Sequence, residues 1–567
     1  MQMKKYLLFL VTAMLATIAR AADGDIFTYQ GLKFRITSEA DRTVAVFMYN
    51  EASGHISIPS FAINGSSRYF VTELAGSAFR DCSSLTSVSI PNSVTKIGNY
   101  AFNGCSSLTS VSIPNSVTQI GKDAFSDCRN LTSVNIPDAI TQIEPYAFNN
   151  CSSLTSINIP ASVTQIGEDA FAGCTSLTSV SIPASVTQIG ESAFSSCSSL
   201  SEIVVENGNP NYISEDGVLF NINKTELIQC PGGKKGEYSI PTSVNKICNN
   251  AFSSCSSLTS VSIPNSVTQI GNRAFMWCTS LTSISIPNSV TQIGENAFAA
   301  CTSLTSVSIP NSVTQIGFNA FNYCASLTSV SIPNSVTQIG AAAFSSCHSL
   351  TWVSIPNSVT TIRSRTFGSC KNLKTIYVLN PKPQSVDEDA FEDVPEDAII
   401  YIPKGSYNDY FLSSDWIHFS DFREMGAFDI ALSEQTLELT AGNTATVTAT
   451  VTKDDDMTIK SEEWSSSNPE VATVDNGVIT AVAPGEAVIW FTAVDGYGVP
   501  HTEACKVTVS ESDGVAEIVT DADVPVDVYN LQGVAVLRNA ATAELRNLPA
   551  GIYIVRQGNN VEKIAVK

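Results

Sequence analysis

The chain has fifteen cysteines, and twelve of them recur at a fixed interval. Cys82, Cys105, Cys128, Cys151, Cys174 and Cys197 stand 23 residues apart, and so do Cys255, Cys278, Cys301, Cys324, Cys347 and Cys370. Thiols in such numbers invite two readings, a disulfide framework or zinc. The interval argues against both. Self-similarity at a fixed period marks a solenoid, in which each unit is one coil stacked on the next. Equivalent cysteines in adjacent coils then lie ~4.8 Å apart with parallel side chains. That leaves their Cβ atoms near 5 Å, beyond the ~3.5–4.5 Å of a disulfide. A straight line of sulfurs cannot surround a tetrahedral ion either. The ladder therefore reads as buried thiols packed like small apolar residues. Within the repeats, Cys230 and Cys248 fall outside the register and are the one pair left open to bridging.

Other chemistry is sparse. The sequence has no G-x-S-x-G, H-E-x-x-H or phosphate-binding G-x-x-x-x-G-K-[ST]. Its histidines, His55, His348, His418 and His501, are scattered over different units. A net charge of −22 argues against nucleic acid, whose phosphates demand a basic face. The acidic run Asp387–Asp397 has no calcium-loop spacing and reads as a solvated loop. Between Cys255 and Pro356 the only charged side chains besides titrating cysteines, Tyr323 and His348 are Arg273 and Glu295. The expectation is a protein with no catalytic residue, no cofactor and no metal, and not an enzyme.

The elements that position these residues follow from one coil. In Leu85–Cys105 the apolar positions are Leu85, Val88, Ile90, Val94, Ile97, Ala101, Phe102 and Cys105. Thr86–Ile90 alternates with period two, giving a short strand with Val88 and Ile90 inward. Pro91 ends it for want of a donor. Gly98 is expected to turn the chain with a positive φ, and the Ala-Phe-x-x-Cys segment to return it in a tight helical turn. Each strand pairs in parallel with the next. Residues 23–70 read as an N-terminal β cap over the open first coil, and 71–426 as the repeats with their own C-terminal cap around Tyr410, Phe411, Trp416, Phe419 and Phe422. The 58 residues from Cys197 to Cys255 hold an insertion at about 206–236, where Asp216-Gly217 predicts a hairpin projecting from the solenoid. Residues 427–511 show short strands and turns and predict an all-β sandwich anchored by Trp464, and 512–567 a small C-terminal β-domain. Residues 1–22 read as a cleaved signal peptide, with Lys4 and Lys5 before an apolar run too short to span a membrane. The mature chain is therefore expected not to be a transmembrane protein.

The repeated phrase LxxVxIPxxVxxIGxxAFxxC resembles the BspA-type (Treponema-type) leucine-rich repeat over about 330 residues. Trp464–Asn468, Val471–Val474 and Gly477–Ala481 resemble a bacterial Ig-like domain of group 2, which implies a stalk or spacer. Val528–Asn530, Gly533, Leu548-Pro549, Gly551–Tyr553 and Val566-Lys567 resemble the C-terminal sorting domain of type IX secretion substrates, although Ala522–Pro525 replaces the usual YPNP-like opening. The resemblance implies a leucine-rich-repeat solenoid followed by an Ig-like sandwich. It also implies a bacterial protein, extracellular or on the outer cell surface, that adheres to host matrix proteins or other surface proteins. Glycan capture and self-association into a surface layer are the alternatives.

Recognition should lie where the coils differ. Outward strand positions are Ser, Thr or Asn almost throughout, and Trp352 interrupts them with an indole. Met276-Trp277 and Tyr323 lie between Phe and Cys of their coils, and Phe318 follows a glycine. Trp352, Met276, Trp277, Phe318 and Tyr323 are the candidate partner-binding residues, because exposed aromatics are favoured in interfaces.

Overall fold

The computed structural model describes residues 21–47, 51–455, 457–511, 524–541, 544–545, 548, 551–558 and 560–566. Most of the expected signal segment, Met48, and Pro549, Ala550 and Lys567 of the tail motif lie outside the described residues. The repeats form a solenoid in which successive coils are joined by three kinds of hydrogen-bonded ladder, with breaks along the array. The first is the expected strand. Ser84–Ser89 pairs in parallel with Ser110–Ser112, placing Val88 opposite Val111. Leu85, Val88 and Ile90 are buried and Ser89 is exposed. After the strand Val94 N donates to Pro91 O at 3.0 Å, closing a turn. The second ladder is built of two-residue strands, Lys96–Ile97 against Gln119–Ile120 and, after a break, Gln142–Ile143, Gln165–Ile166 and Gln188–Ile189 in a separate sheet. Two residues are too few for alternation to reveal, so this ladder was not anticipated.

The third ladder corrects the expected helical turn. The N–H groups of Tyr100, Phe102 and Gly104 donate to Lys122 O, Ala124 O and Ser126 O of the next coil at 2.9, 2.8 and 2.8 Å. The N–H groups between them, of Ala101, Asn103 and Cys105, close local turns onto Gly98, Tyr100 and Phe102 at 3.3, 3.2 and 3.1 Å. A helix would send every N–H up its own axis; here alternate ones leave the coil. The alternation requires left-handed backbone at Tyr100 (φ 60) and Gly104 (φ 74). Gly98 is likewise not the positive-φ residue expected. Its role is close approach: a Cβ there would meet Gly76 N at 2.6 Å, and at Gly317 it would meet Glu295 N at 2.7 Å. Two coils touch backbone to backbone at this column.

Inside the coils, phenylalanines stack. Phe79 through Phe194 form one run with centroids 5.2–5.6 Å apart, and Phe252 through Phe391 another at 4.8–5.7 Å. Beside them run the cysteines, all free. Each ladder thiol from Cys105 to Cys197 donates to the carbonyl of a phenylalanine one coil back, as Cys105 does to Phe79 O at 3.0 Å and Cys128 to Phe102 O at 3.2 Å. Among the described residues Cys230 and Cys248 do not bridge.

The insertion forms its hairpin but does not project. Tyr212–Glu215 and Val218–Asn221 pair antiparallel around Asp216 (φ 51) and Gly217 (φ 75). Val218–Asn221 pairs on to Glu226–Gln229, and that strand runs parallel to Lys246–Ile247 in the second ladder. Val218, Leu219 and Phe220 are fully buried. Three apolar side chains in a row could not be left in water, so the hairpin is spliced into the wall. It also divides the core. Leu219 belongs to the cluster of the preceding coils, and Val218, Phe220, Leu227 and Cys230 to that of the following ones.

At the start, Ile26–Tyr29, Leu32–Ser38 and Thr43–Val46 form an antiparallel sheet that joins the solenoid through Ser67–Leu74. At the end, Tyr410, Trp416, Phe419 and Phe422 are buried, whereas Phe411 is exposed. Tyr410 Oη donates to Asn380 O at 2.7 Å, and Trp416 Nε1 to Gln384 O at 3.2 Å. The following β-rich unit packs Val447, Ile479, Ile489, Cys505 and Val507 between its sheets. Trp464 is only half-buried there, tilted 5.0 Å from Phe491. This unit does not stand off as a stalk. It lies back against the solenoid, with Asn288 Nδ2 donating to Ser466 O and Asn311 Nδ2 to Thr492 Oγ1, both at 3.3 Å. Lys404 pairs with Asp454 at 2.8 Å. A last four-stranded antiparallel sheet, Val526–Asn530, Ala535–Ala540, Gly551–Gln557 and Asn560–Val566, ends the described chain. No helix among the described residues is long and apolar enough to cross a membrane.

Candidate recognition surface

The five candidate residues do not share one environment. Trp352 is half-buried, which corrects the expectation of an open indole. Its ring meets Tyr377 edge-on at 6.0 Å, within a cluster containing Tyr401, Met425 and Val499. Tyr497, beside Val499 in the Ig-like unit, lies 6.0 Å from Tyr377 and 5.4 Å from Tyr401. The buried Asp495 carboxylate shapes that loop, accepting the N–H groups of Tyr497 and Val499 at 2.9 Å each and bonding His501 at 2.9 Å. Trp352 is therefore spent on holding two units together.

Trp277 and Tyr323 do face solvent, each 50% exposed. Both precede the ladder cysteine, in the left-handed column of the turn. Trp277 has φ 64 and Tyr323 φ 62. Elsewhere that column holds small or polar residues, among them Gly104, Asp127, Asn150, Gly173, Ser196 and Ala300, of which glycine, asparagine and aspartate suit the conformation best. A bulky aromatic there is conformationally unfavourable and adds nothing to the core. Trp277 and Tyr323 are separated by Ala300, two coil steps or about 10 Å along the column. Tyr323 is steadied by His348, edge-on at 5.9 Å. Met276 is half-buried beside Trp277. Phe318 is 46% exposed on a different edge, over a groove floored by Gly271, Gly294, Gly317 and Gly340.

Trp277 forms one wall of a groove of about 420 Å³ that sequence reading missed. Its lining includes Asn149, Asn150, Asn250 and Asn296, with Glu168, Asp169, Glu191 and Arg273. The groove arises from the insertion. The spliced coil passes this edge as the short run Gln229–Gly233, without a full Ala-Phe turn, so side chains 58 residues apart meet directly. Asn250 Nδ2 donates to Ser192 Oγ at 2.7 Å, and the hydroxyls of Ser196 and Ser254 lie 3.0 Å apart. Burial pushes the Asp169 carboxyl up, with Glu168 and Glu191 nearby adding to the effect. Tyr146, whose hydroxyl donates to Glu168 at 3.0 Å, is pushed up to about 12 by burial and that bond. The signal that could have located the groove was Arg273, a lone charge in an almost neutral stretch, four residues before Trp277.

The sequence profile of the BspA type leucine rich repeat region matches residues 72–231, 234–351 and 314–413. The chain belongs to the BspA-type leucine-rich repeat family. Residues 429–504 of this BspA-type protein match the bacterial Ig-like domain of group 2. Its structure is similar to that of a leucine rich cell surface protein from Faecalibacterium prausnitzii, at 31% identity and a TM-score of 0.50, covering 63% of this chain and 95% of that one. The pneumococcal vaccine antigen PcpA shares the fold at 23% identity and a TM-score of 0.50, covering 71% of this chain and 100% of that one. Among curated proteins none matches.

Proposed function

We propose that this BspA-type protein is an exported, surface-displayed recognition protein that adheres to other surface or matrix proteins through the turn edge of its solenoid. One observation carries the reading: Trp277 and Tyr323 stand exposed in left-handed positions that Gly or Asn would occupy more stably. Solvent-exposed aromatics held on a rigid backbone bind with little loss of conformational freedom. The cell-surface description of the Faecalibacterium relative supports the location. The test is binding of the purified protein to a panel of extracellular-matrix and bacterial surface proteins. The Trp277→Ala/Tyr323→Ala double variant should lose binding while melting no lower than the parent. Unchanged binding by the double variant would remove the turn edge from the account.

A further inference from the structure

We infer that the groove beside Trp277 is a carbohydrate site, so that what the solenoid reads on its partner is a neutral, linear oligosaccharide. The inference rests on the recognition role proposed above and names the chemistry of the partner. The lining comes first. Asn149, Asn150, Asn250, Asn296, Ser192 and Ser196 line the groove with groups of the kind that both donate and accept, Asn250 bonded to Ser192 and Ser196 to Ser254. Neighbouring hydroxyls on a sugar ring need that pairing. The apolar side chains lining the groove, chiefly Ala172, Met276 and Trp277, form no closed pocket of the kind that receives a protein's anchor side chain.

The charges narrow the ligand. Glu168, Asp169 and Glu191 face the groove against the single cation Arg273, and none of the four makes an ion pair with another described residue. An excess of carboxylates repels sulfated or uronic-acid sugars, while carboxylates, which hold more lone pairs than the Tyr146 hydroxyl fills, accept hydrogen bonds from neutral ones. The aromatics give the direction. Trp277 closes the groove, and Tyr323 stands on the same column about 10 Å on. Half-exposed indole and phenol rings of this kind can stack on the C–H side of a pyranose ring. An oligosaccharide lying along the turn edge would meet the indole first and, if long enough, the phenol. Trp352, half-buried and edge-on to Tyr377, is not placed to share this role.

The experiment uses the full chain with neutral hexose oligomers, short and long, and with a sulfated oligosaccharide of matched length, by calorimetry. The panel of matrix glycoproteins is measured in parallel, before and after enzymatic deglycosylation. The neutral oligomers should bind and the sulfated one should not. Trp277→Ala should weaken binding of all neutral oligomers about tenfold or more, Trp277→Phe much less, and Tyr323→Ala that of the long oligomers alone. Deglycosylation should abolish capture of the glycoproteins. Capture that survives deglycosylation yet still depends on Trp277 would overturn the carbohydrate site and leave protein recognition standing. Absence of binding to any sugar or protein would overturn both. Tighter binding of the sulfated oligosaccharide would overturn the assignment of a neutral ligand.

Discussion

The thiols that end the coils from Cys105 to Cys370 are kept neutral by their surroundings. Burial pushes Cys197, Cys301 and Cys370 up to about 12, and their S–H groups donate to phenylalanine carbonyls at 3.2 Å. A cysteine in an unfolded chain ionises near ~8.5. Below that value both states hold the proton and stability is indifferent to pH. As pH rises from about 8.5 toward 12 the unfolded chain releases protons that the folded one retains, so stability falls, by up to about 1.4 kcal/mol per pH unit for each such thiol. Denaturant unfolding at successive pH values should show this loss, and Cys301→Ala should reduce the slope by one proton. Thiol titration without reductant should find few reactive groups in the folded protein and all fifteen in denaturant. The inertness of these sulfurs was legible in the sequence, because a 23-residue period fixes the spacing of equivalent Cβ atoms. Their carbonyl partners were not, since each lies 26 residues upstream in no recognisable pattern.

At the scale of the element, the coil was half legible. The strand Thr86–Ile90 announces itself by alternation, but Ala-Phe-x-x-Cys has a helical composition and is not a helix, because its alternate N–H groups find acceptors 22 residues away. The same blindness affected glycine. From sequence, Gly98 and Gly317 suggest a positive φ, whereas the left-handed positions are held by residues such as Asn150, Trp277 and Ala300. Opposite substitutions should therefore have opposite effects. Gly317→Ala forces a Cβ to 2.7 Å from the Glu295 backbone and should destabilise by about 1–3 kcal/mol. Ala300→Gly, at φ 58, should stabilise by about 1 kcal/mol. Equilibrium unfolding of the two variants measures both, and like signs would contradict the assignment of roles.

For the whole molecule, the family resemblance suggested a spacer between solenoid and tail, yet the Ig-like unit folds back onto the coils. Nothing in the repeats advertises this, because the docking residues Asn288 and Asn311 are copies of asparagines found along the array. Only Trp352, Tyr377, Tyr401 and Tyr497 mark the place, and they read from sequence as separate aromatics. Replacing Tyr497 and Val499 by aspartate should release the unit. Small-angle scattering should then give a larger radius of gyration, with the melting of the solenoid little changed. An unaltered radius would mean that the polar contacts alone hold it.

The spliced insertion has a consequence for how such a chain finds its own structure. Coils this alike are nearly interchangeable partners, and a ladder shifted by one coil would keep most of its pairings. The run Val218–Phe220 cannot be shifted so, because Leu219 fits only the upstream core and its two neighbours only the downstream one. It works as an index mark in a tape of identical frames, giving both halves an origin from which to count. A miscount on either side would carry Trp277 away from the carboxylates and asparagines contributed by the other.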